Sequence, residues 1–366
     1  MTGCGRRSSP AGRRAPGSPC PLRWPSGRGP TTTRLSAPAA AAHTGEIWPV
    51  HASSTAGYRG VVRSPVAIAR RRLADALRDR VAGPEADERA YNIWMAPGER
   101  RYEPDQPICR VQGHAAMYAG GIRALLLQSL HPLAMAGVAE HSGYRGDPWG
   151  RLQRTSEFIA ITTFGPIDSA ERAIDHINRV HGIVTGTARD GRPYSATDPH
   201  LLAWVHAAEI DSFLTAHQRY SRTPLTPAEA DRYVLQAGYV AGRLGVLDPP
   251  TTVAELEAAL ATYRPELETT PGALDAVQFM LHEPPLPRRA RPGFWLLAAG
   301  AVEMLPDYAR QMLGLQLPGR LSRFDGAFFR GVAGPAGKLG TAGVAWALAD
   351  PGEVRNKPGS SALMAS

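Results

Sequence analysis

The stretch G-G-I-R-A-L-L-L-Q-S-L-H-P-L-A-M-A-G-V-A-E-H-S, from Gly120 to Ser142, decides the fold. It is apolar enough to be buried, yet it contains Arg123, Gln128 and His131. Pro132 must end or bend the first helix, because proline lacks an amide hydrogen and its ring clashes with the preceding turn. The polar residues and the proline together favour a buried, broken helix over a membrane span.

Helix-start signals recur on the C-terminal side of this stretch, while strand signals are scarce. Each is a polar cap residue with a proline or a glutamate close behind it, followed by apolar residues at helical spacing. A loop is expected from Gly191 to Thr197. The sequence therefore predicts an all-α body of about eight to ten helices. The signals are Asp168-x-x-Glu171, Asp198–Pro199, Thr226–Glu229, Thr252–Glu255 and Thr270–Pro271.

Composition divides the chain into three segments. Residues 1–60 are rich in Pro, Gly, Ser and Arg without any period, which is typical of a disordered tail. The helical body is predicted from 64 to 329, where Ser64–Pro65 supplies a cap and a first-turn proline. Residues 330–366 are rich in Gly and Ala and are predicted to form a second disordered tail.

The positive charge lies mainly on the N-terminal tail. Residues 1–36 hold seven arginines and no acid, which accounts for 7 of the net charge of +8. The body is close to neutral, so no nucleic-acid partner is expected. The twin arginines near the N-terminus are not followed by an apolar segment, so we expect a cytoplasmic protein without an export signal.

Lysine and cysteine usage excludes several kinds of site. The two lysines, Lys338 and Lys357, both lie in the C-terminal segment, so Schiff-base chemistry in the body is excluded. The three cysteines are far apart and indicate neither a disulfide framework nor a thiolate metal site.

Three histidines occupy inward positions on different predicted helices: His131, His181 and His206. Each could be a hydrogen-bonded core residue, a catalytic base, or a ligand of a metal or haem. Helical bundles build metal and cofactor sites from facing side chains, but neither the glutamate pattern of a di-iron site nor a zinc signature is present. Haem needs only one imidazole ligand and fits this set.

Two arginines and a threonine share one face of the helix predicted over 149–164. Arg151, Arg154 and Thr155 are one turn apart. They could donate charge-assisted hydrogen bonds to the propionates of a haem. The alternative is that they form the solvated face of a surface helix.

The ordered motifs resemble one known family. The stretch from Gly120 to Val138, G-R-L-Q-R-T at 150–155, V-H-G-I-V-T-G at 180–186, Y-S-A-T-D-P-H-L-L-A-W-V-H at 194–206 and A-V-E-M-L-P at 301–306 are similar to the MpaB/rubber oxygenase family. The resemblance covers about residues 85–320. It implies a globin-like helical domain with one haem b, and an enzyme that oxidises or cleaves olefinic double bonds with O2.

The resemblance also implies roles for individual residues. His181 would be the iron ligand, Arg151 and Thr155 would lie in the haem pocket beside His206, and Glu140 would be a catalytic base. Latex clearing proteins have a lysine where this chain has Arg154, the second predicted catalytic residue. Because a guanidinium stays protonated and is a poor ligand, we expect water or no ligand at the sixth iron position.

The function expected from this resemblance is a haem oxygenase for a small hydrophobic, isoprenoid-type alkene, with an electron donor that the sequence does not identify. Two alternatives remain open. One is a non-catalytic protein that binds haem or another hydrophobic ligand, because a fold does not fix a function. The other is a helical scaffold without a cofactor.

Overall fold

The structure, a computed structural model, describes residues 70–71, 86–141 and 145–348. The tail predicted over 1–60 and the helix start at Ser64–Pro65 lie outside these residues, as do residues 349–366.

The described chain is helical apart from one small hairpin, which confirms the predicted all-α class. The hairpin pairs β1 (Thr185–Thr187) with β2 (Pro193–Ser195) in antiparallel register, with Gly186 opposite Tyr194. β2 lies inside the segment predicted as a loop, because a strand of three residues is too short to show alternation. The helices are α1 (Ala86–Ala90), α2 (Pro107–Gln112), α3 (Met117–Gln128), α4 (Pro132–His141), α5 (Pro148–Phe164), α6 (Ile167–His181), α7 (Pro199–Tyr220), α8 (Pro227–Leu244), α9 (Val253–Thr262), α10 (Pro271–Val277), α11 (Arg291–Met304), α12 (Asp307–Met312), α13 (Asp325–Phe328) and α14 (Gly334–Leu348).

Helices α3 and α7 pack against each other along the centre of the body. Leu126, Leu127 and Trp204 are completely buried between them and their neighbours. The chain breaks at His131 and Pro132 as predicted, and α4 departs from α3 at an angle of 110°. No single described helix is long and apolar enough to span a membrane, although α3 and α4 pass that test as a bent pair.

The capping signals are largely confirmed. Thr226 and Glu229 form a reciprocal capping box at the start of α8, and Asp198, Thr252 and Thr270 cap α7, α9 and α10. The capping box predicted at Asp168-x-x-Glu171 is wrong, since α6 begins after Pro166 without a side-chain cap. The carboxylate of Glu171 instead binds two arginines from outside the helix, Arg101 and Arg243.

The prediction of a tail over 330–366 is wrong for residues 334–348. These residues form α14, which packs along α11. Gly300 of α11 and Gly337 of α14 meet at the crossing, where a Cβ built on Gly337 would lie 2.5 Å from the Gly300 Cα. The small residues that resembled a tail therefore permit a close helix contact.

We predict that Gly337→Ala destabilises the protein, because the added methyl would collide with Gly300 and the Tyr220 ring. Overpacking of this kind costs about 1–3 kcal/mol. Gly343→Ala is the matched control on the same helix, since a Cβ there meets no atom within 4 Å, and alanine favours a helix interior by about 0.5–1 kcal/mol. Urea unfolding of both variants measures the difference, and equal stabilities would contradict the close crossing.

Candidate functional site

Helices α5 and α6 form a pair that stands apart from the central helix α7. They pack on each other across the connection at Gly165 and Pro166, and α5 also contacts α2 while α6 contacts α8. In the described part of the chain neither packs closely against α7. The apolar residues Leu152, Phe158 and Ile161 of α5 consequently remain partly exposed. We therefore consider the space between the pair and α7 as the place where a ligand could lie.

His181 is the last residue of α6 and is partly buried. Its ring makes no hydrogen bond with a described residue, and its Nδ1 atom is buried without a partner. Burial lowers the pKa of the ring, so the neutral imidazole is favoured. A neutral imidazole without a hydrogen-bond partner is the form that binds a metal ion.

His206 lies on α7, and a chain of contacts connects it with the end of α6. Asn178, one turn before His181, donates a 3.0 Å hydrogen bond to the carbonyl oxygen of Arg243 near the end of α8. Gly245, directly after α8, lies against Leu202, one turn before His206. The Nε2 atom of His206 is also buried without a partner, and burial lowers its pKa to about 4.

The predicted anion-binding residues of α5 differ in exposure. Arg151 and His181 both lie at the end of the α5–α6 pair that is far from the connection. Arg151 is partly buried, whereas Arg154 and Thr155 are exposed. The guanidinium of Arg154 lies 3.3 Å from the carboxylate of Asp147, which caps α5.

Glu140 lies near the end of α4, against the hairpin that follows α6. The hydroxyl of Tyr194 donates a 2.5 Å hydrogen bond to its carboxylate and lies 3.1 Å from the His141 ring. Burial and the hydrogen bond to Glu140 raise the pKa of Tyr194 to about 12. Residue 186 must be glycine, because a Cβ there would collide with Tyr194 and reach within 3.0 Å of Glu140.

Glu209 is a residue that the sequence reasoning missed. It lies one turn beyond His206 on the same face of α7, and burial raises its pKa to about 7. Its carboxylate makes no hydrogen bond with a described residue, yet it keeps some accessible surface. The spacing from His206 to Glu209 could have suggested this residue.

These residues fit a haem in the chemistry of their donors. Nδ1 of His181 and Nε2 of His206 are buried without a hydrogen-bond partner, and a ligand would remove the cost of leaving them unpaired. Arg151 is a partly buried cation near the start of α5, a position from which it could bind a propionate. The apolar residues of α5 suit the faces of a macrocycle.

His131 belongs to a different cluster. Its ring is buried at the break between α3 and α4, beside His200 and Glu266. The prediction that His131 points inward is confirmed, and no described contact connects it with His181 or His206.

A protein-family model described as ER-bound oxygenase mpaB/B'/Rubber oxygenase, catalytic domain, matches residues 109–336. The matched stretch is more than half of the 366 residues and contains every site residue described above. No curated protein and no solved structure matches the chain.

We predict that Glu209→Gln stabilises the protein more at high pH than at low pH. The folded state keeps this carboxyl protonated up to about pH 7, whereas the unfolded chain releases the proton near 4.5. The wild type therefore loses stability as the pH rises from 4.5 to 7, by an amount on the order of 3 kcal/mol. Glutamine does not titrate, so the advantage of the variant over the wild type grows across that range.

Urea unfolding at several pH values measures this difference. Glu257→Gln, at an exposed glutamate of α9, is the matched control and leaves the pH dependence unchanged. If the stability difference between Glu209→Gln and the wild type were the same at every pH, the prediction that this carboxyl is buried with a raised pKa would be contradicted.

Proposed function

The chain belongs to the ER-bound oxygenase mpaB/B'/rubber oxygenase catalytic-domain family, and from this premise we propose that it is a haem b oxygenase that acts with O2 on a hydrophobic, isoprenoid-type alkene. The observation that carries the proposal is the ring of His181 at the end of α6: its Nδ1 atom is buried without a hydrogen-bond partner, and burial lowers its pKa.

His181 would hold the iron of the haem through its imidazole. Haem, when bound, supplies an iron centre that binds and activates O2. His206, on the facing helix, has the second buried ring atom without a partner and would line the pocket. The low pKa of His206 keeps its ring uncharged in the apolar surroundings.

Arg151 would bind a propionate near the start of α5. A guanidinium donates two parallel hydrogen bonds to a carboxylate and keeps its charge at any physiological pH. Thr155 lies one turn further along α5 and could donate from its hydroxyl. The partial exposure of this face places the charged groups of a haem near solvent and its apolar part inside.

Glu209 is our candidate for the group that accepts a proton from the substrate. A general base works best when its pKa lies near the operating pH, and Glu209 meets that condition with a pKa of about 7. Glu140 is exposed and already accepts a hydrogen bond from Tyr194. The catalytic roles of Glu140 and Arg154 stay predictions.

The substrate is proposed to be apolar because the wall formed by α5 is apolar. Leu152, Phe158, Ile159 and Ile161 remain partly exposed on this helix. An alkene chain would remove their surface from water, which is favourable by about 25 cal/mol per Å².

Haem titration of the full chain tests the cofactor. We expect the wild type to bind one haem per chain with a Soret absorption band, and His181→Ala to lose that band or shift it. His282→Ala, at an exposed histidine, is the matched control and keeps the wild-type spectrum. Added imidazole restores ligation in His181→Gly. A folded wild type that takes up no haemin would overturn the proposal and favour the helical scaffold.

Oxygen uptake by the haem-loaded protein, measured with an isoprenoid alkene such as squalene, tests the activity. We expect uptake that depends on the alkene, and a fall of roughly 10²–10⁴-fold in Glu209→Gln, which is the usual contribution of a general base. Glu140→Gln is compared in parallel, and a larger loss there would move the base to Glu140. Stoichiometric haem without uptake for any alkene would support a non-catalytic haem protein instead.

A further inference from the structure

Two histidines and a glutamate meet on the side of α7 where that helix begins. The ring nitrogens of His131 and His200 and a carboxylate oxygen of Glu266 all lie within 4.8 Å of one another. They come from three separate elements: the break between α3 and α4, the first turn of α7, and the 3-10 turn Arg264–Glu266. We propose that these three residues bind a divalent transition-metal ion of the zinc class, at a site distinct from the proposed haem pocket.

The spacing of the three atoms is close to that of a tetrahedral site. Zinc bonds to nitrogen and oxygen are about 2.0–2.2 Å long, so neighbouring ligand atoms lie about 3.3 Å apart. The Glu266 carboxylate lies 2.8 Å from Nε2 of His200 and 3.4 Å from Nε2 of His131. The two histidine nitrogens lie within 4.8 Å of each other, so the exposed His200 ring would have to move to close the set.

His131 supplies a second, independent observation. Its side chain is 2% exposed, and its Nε2 atom has no hydrogen-bond partner despite the nearby carboxylate. The Glu266 carboxylate lies 3.4 Å from this atom, which is within the distance of an ion pair. A buried imidazole nitrogen directed into a group of two other donors is explained by a cation between them.

Nε2 of His200 lies 2.8 Å from the Glu266 carboxylate, which only accepts hydrogen bonds, so a metal would have to displace the proton that Nε2 donates to it. The hydroxyl of Tyr263 donates a 2.8 Å hydrogen bond to the carbonyl oxygen of His200 and lies 3.4 Å from Nδ1 of the same residue. Once the Nε2 proton is displaced, the Tyr263 oxygen can accept a proton from Nδ1 while Nε2 binds the metal. Histidine ligands commonly fix their second nitrogen in this way.

The three segments are already held in place without a metal. The amide of Glu268 donates a 2.8 Å hydrogen bond to the carbonyl oxygen of Leu130, next to His131. The Asp198 side chain accepts a 2.9 Å hydrogen bond from the amide of His200 at the start of α7. A preformed site loses little chain entropy when the ion binds. Three protein ligands leave the fourth position to water, on the side where His200 is exposed.

The test is titration of the full chain, first stripped with a chelator, with ZnCl2 in a calorimeter and with CoCl2 in a spectrophotometer. We expect one ion per chain, visible absorption of tetrahedral cobalt, and a higher Tm with zinc. His200→Ala and Glu266→Gln remove ligands that lie outside the buried core. Each is expected to weaken zinc binding by at least about tenfold, because even the loss of a residue that only hydrogen-bonds to a ligand has an effect of that size. His282→Ala is the matched control and keeps wild-type affinity.

Absence of saturable binding in the folded wild type would overturn the proposal, and so would equal affinity in the wild type, His200→Ala and Glu266→Gln. Either result would leave a carboxylate that only pairs with two imidazoles. Because the haem spectrum of the same preparations is read separately, loss of the zinc site and loss of the proposed oxygenase cofactor are distinguishable.

Discussion

The buried guanidinium of Arg123 is the interaction on which the centre of the body depends. It is 3% exposed, and it donates a 2.9 Å hydrogen bond to the carbonyl oxygen of Met304 and a 2.6 Å hydrogen bond to the hydroxyl of Ser212. It also lies 2.7 Å from the Asp211 carboxylate. One cation thus joins α3, α7 and α11. Loss of such a buried partner typically costs about 3–5 kcal/mol, because the remaining charge has no compensation.

Both proposed sites depend on the position of α7. One face of α7 carries His206 and Glu209, and burial lowers the pKa of His206 to about 4 and raises the pKa of Glu209 to about 7. The first turn of α7 presents His200 to His131 and Glu266. The same helix therefore contributes to the proposed haem pocket and to the proposed zinc site, although no described contact connects the two.

Local signals were predictable from the sequence, and contacts between distant segments were not. The Thr226–Glu229 capping box and the break at Pro132 depend only on neighbouring residues, and both are confirmed. Glu171 was wrongly assigned to a cap because its partners, Arg101 and Arg243, are 70 and 72 residues away. The Gly/Ala-rich α14 was mistaken for a tail since small residues carry no apolar period. The spacing of three residues puts Glu209 on the same helix face as His206, but its burial depends on packing between distant segments, which the sequence does not display.

The central claim is that the space between α5, α6 and α7 holds a haem on His181. A crystal structure of the full chain loaded with haemin tests it most directly. The account predicts iron bonded to a ring nitrogen of His181, a propionate at Arg151, and Glu209 facing the macrocycle without ligating it. Iron bonded to His206, or a haem attached outside this space, would contradict the account.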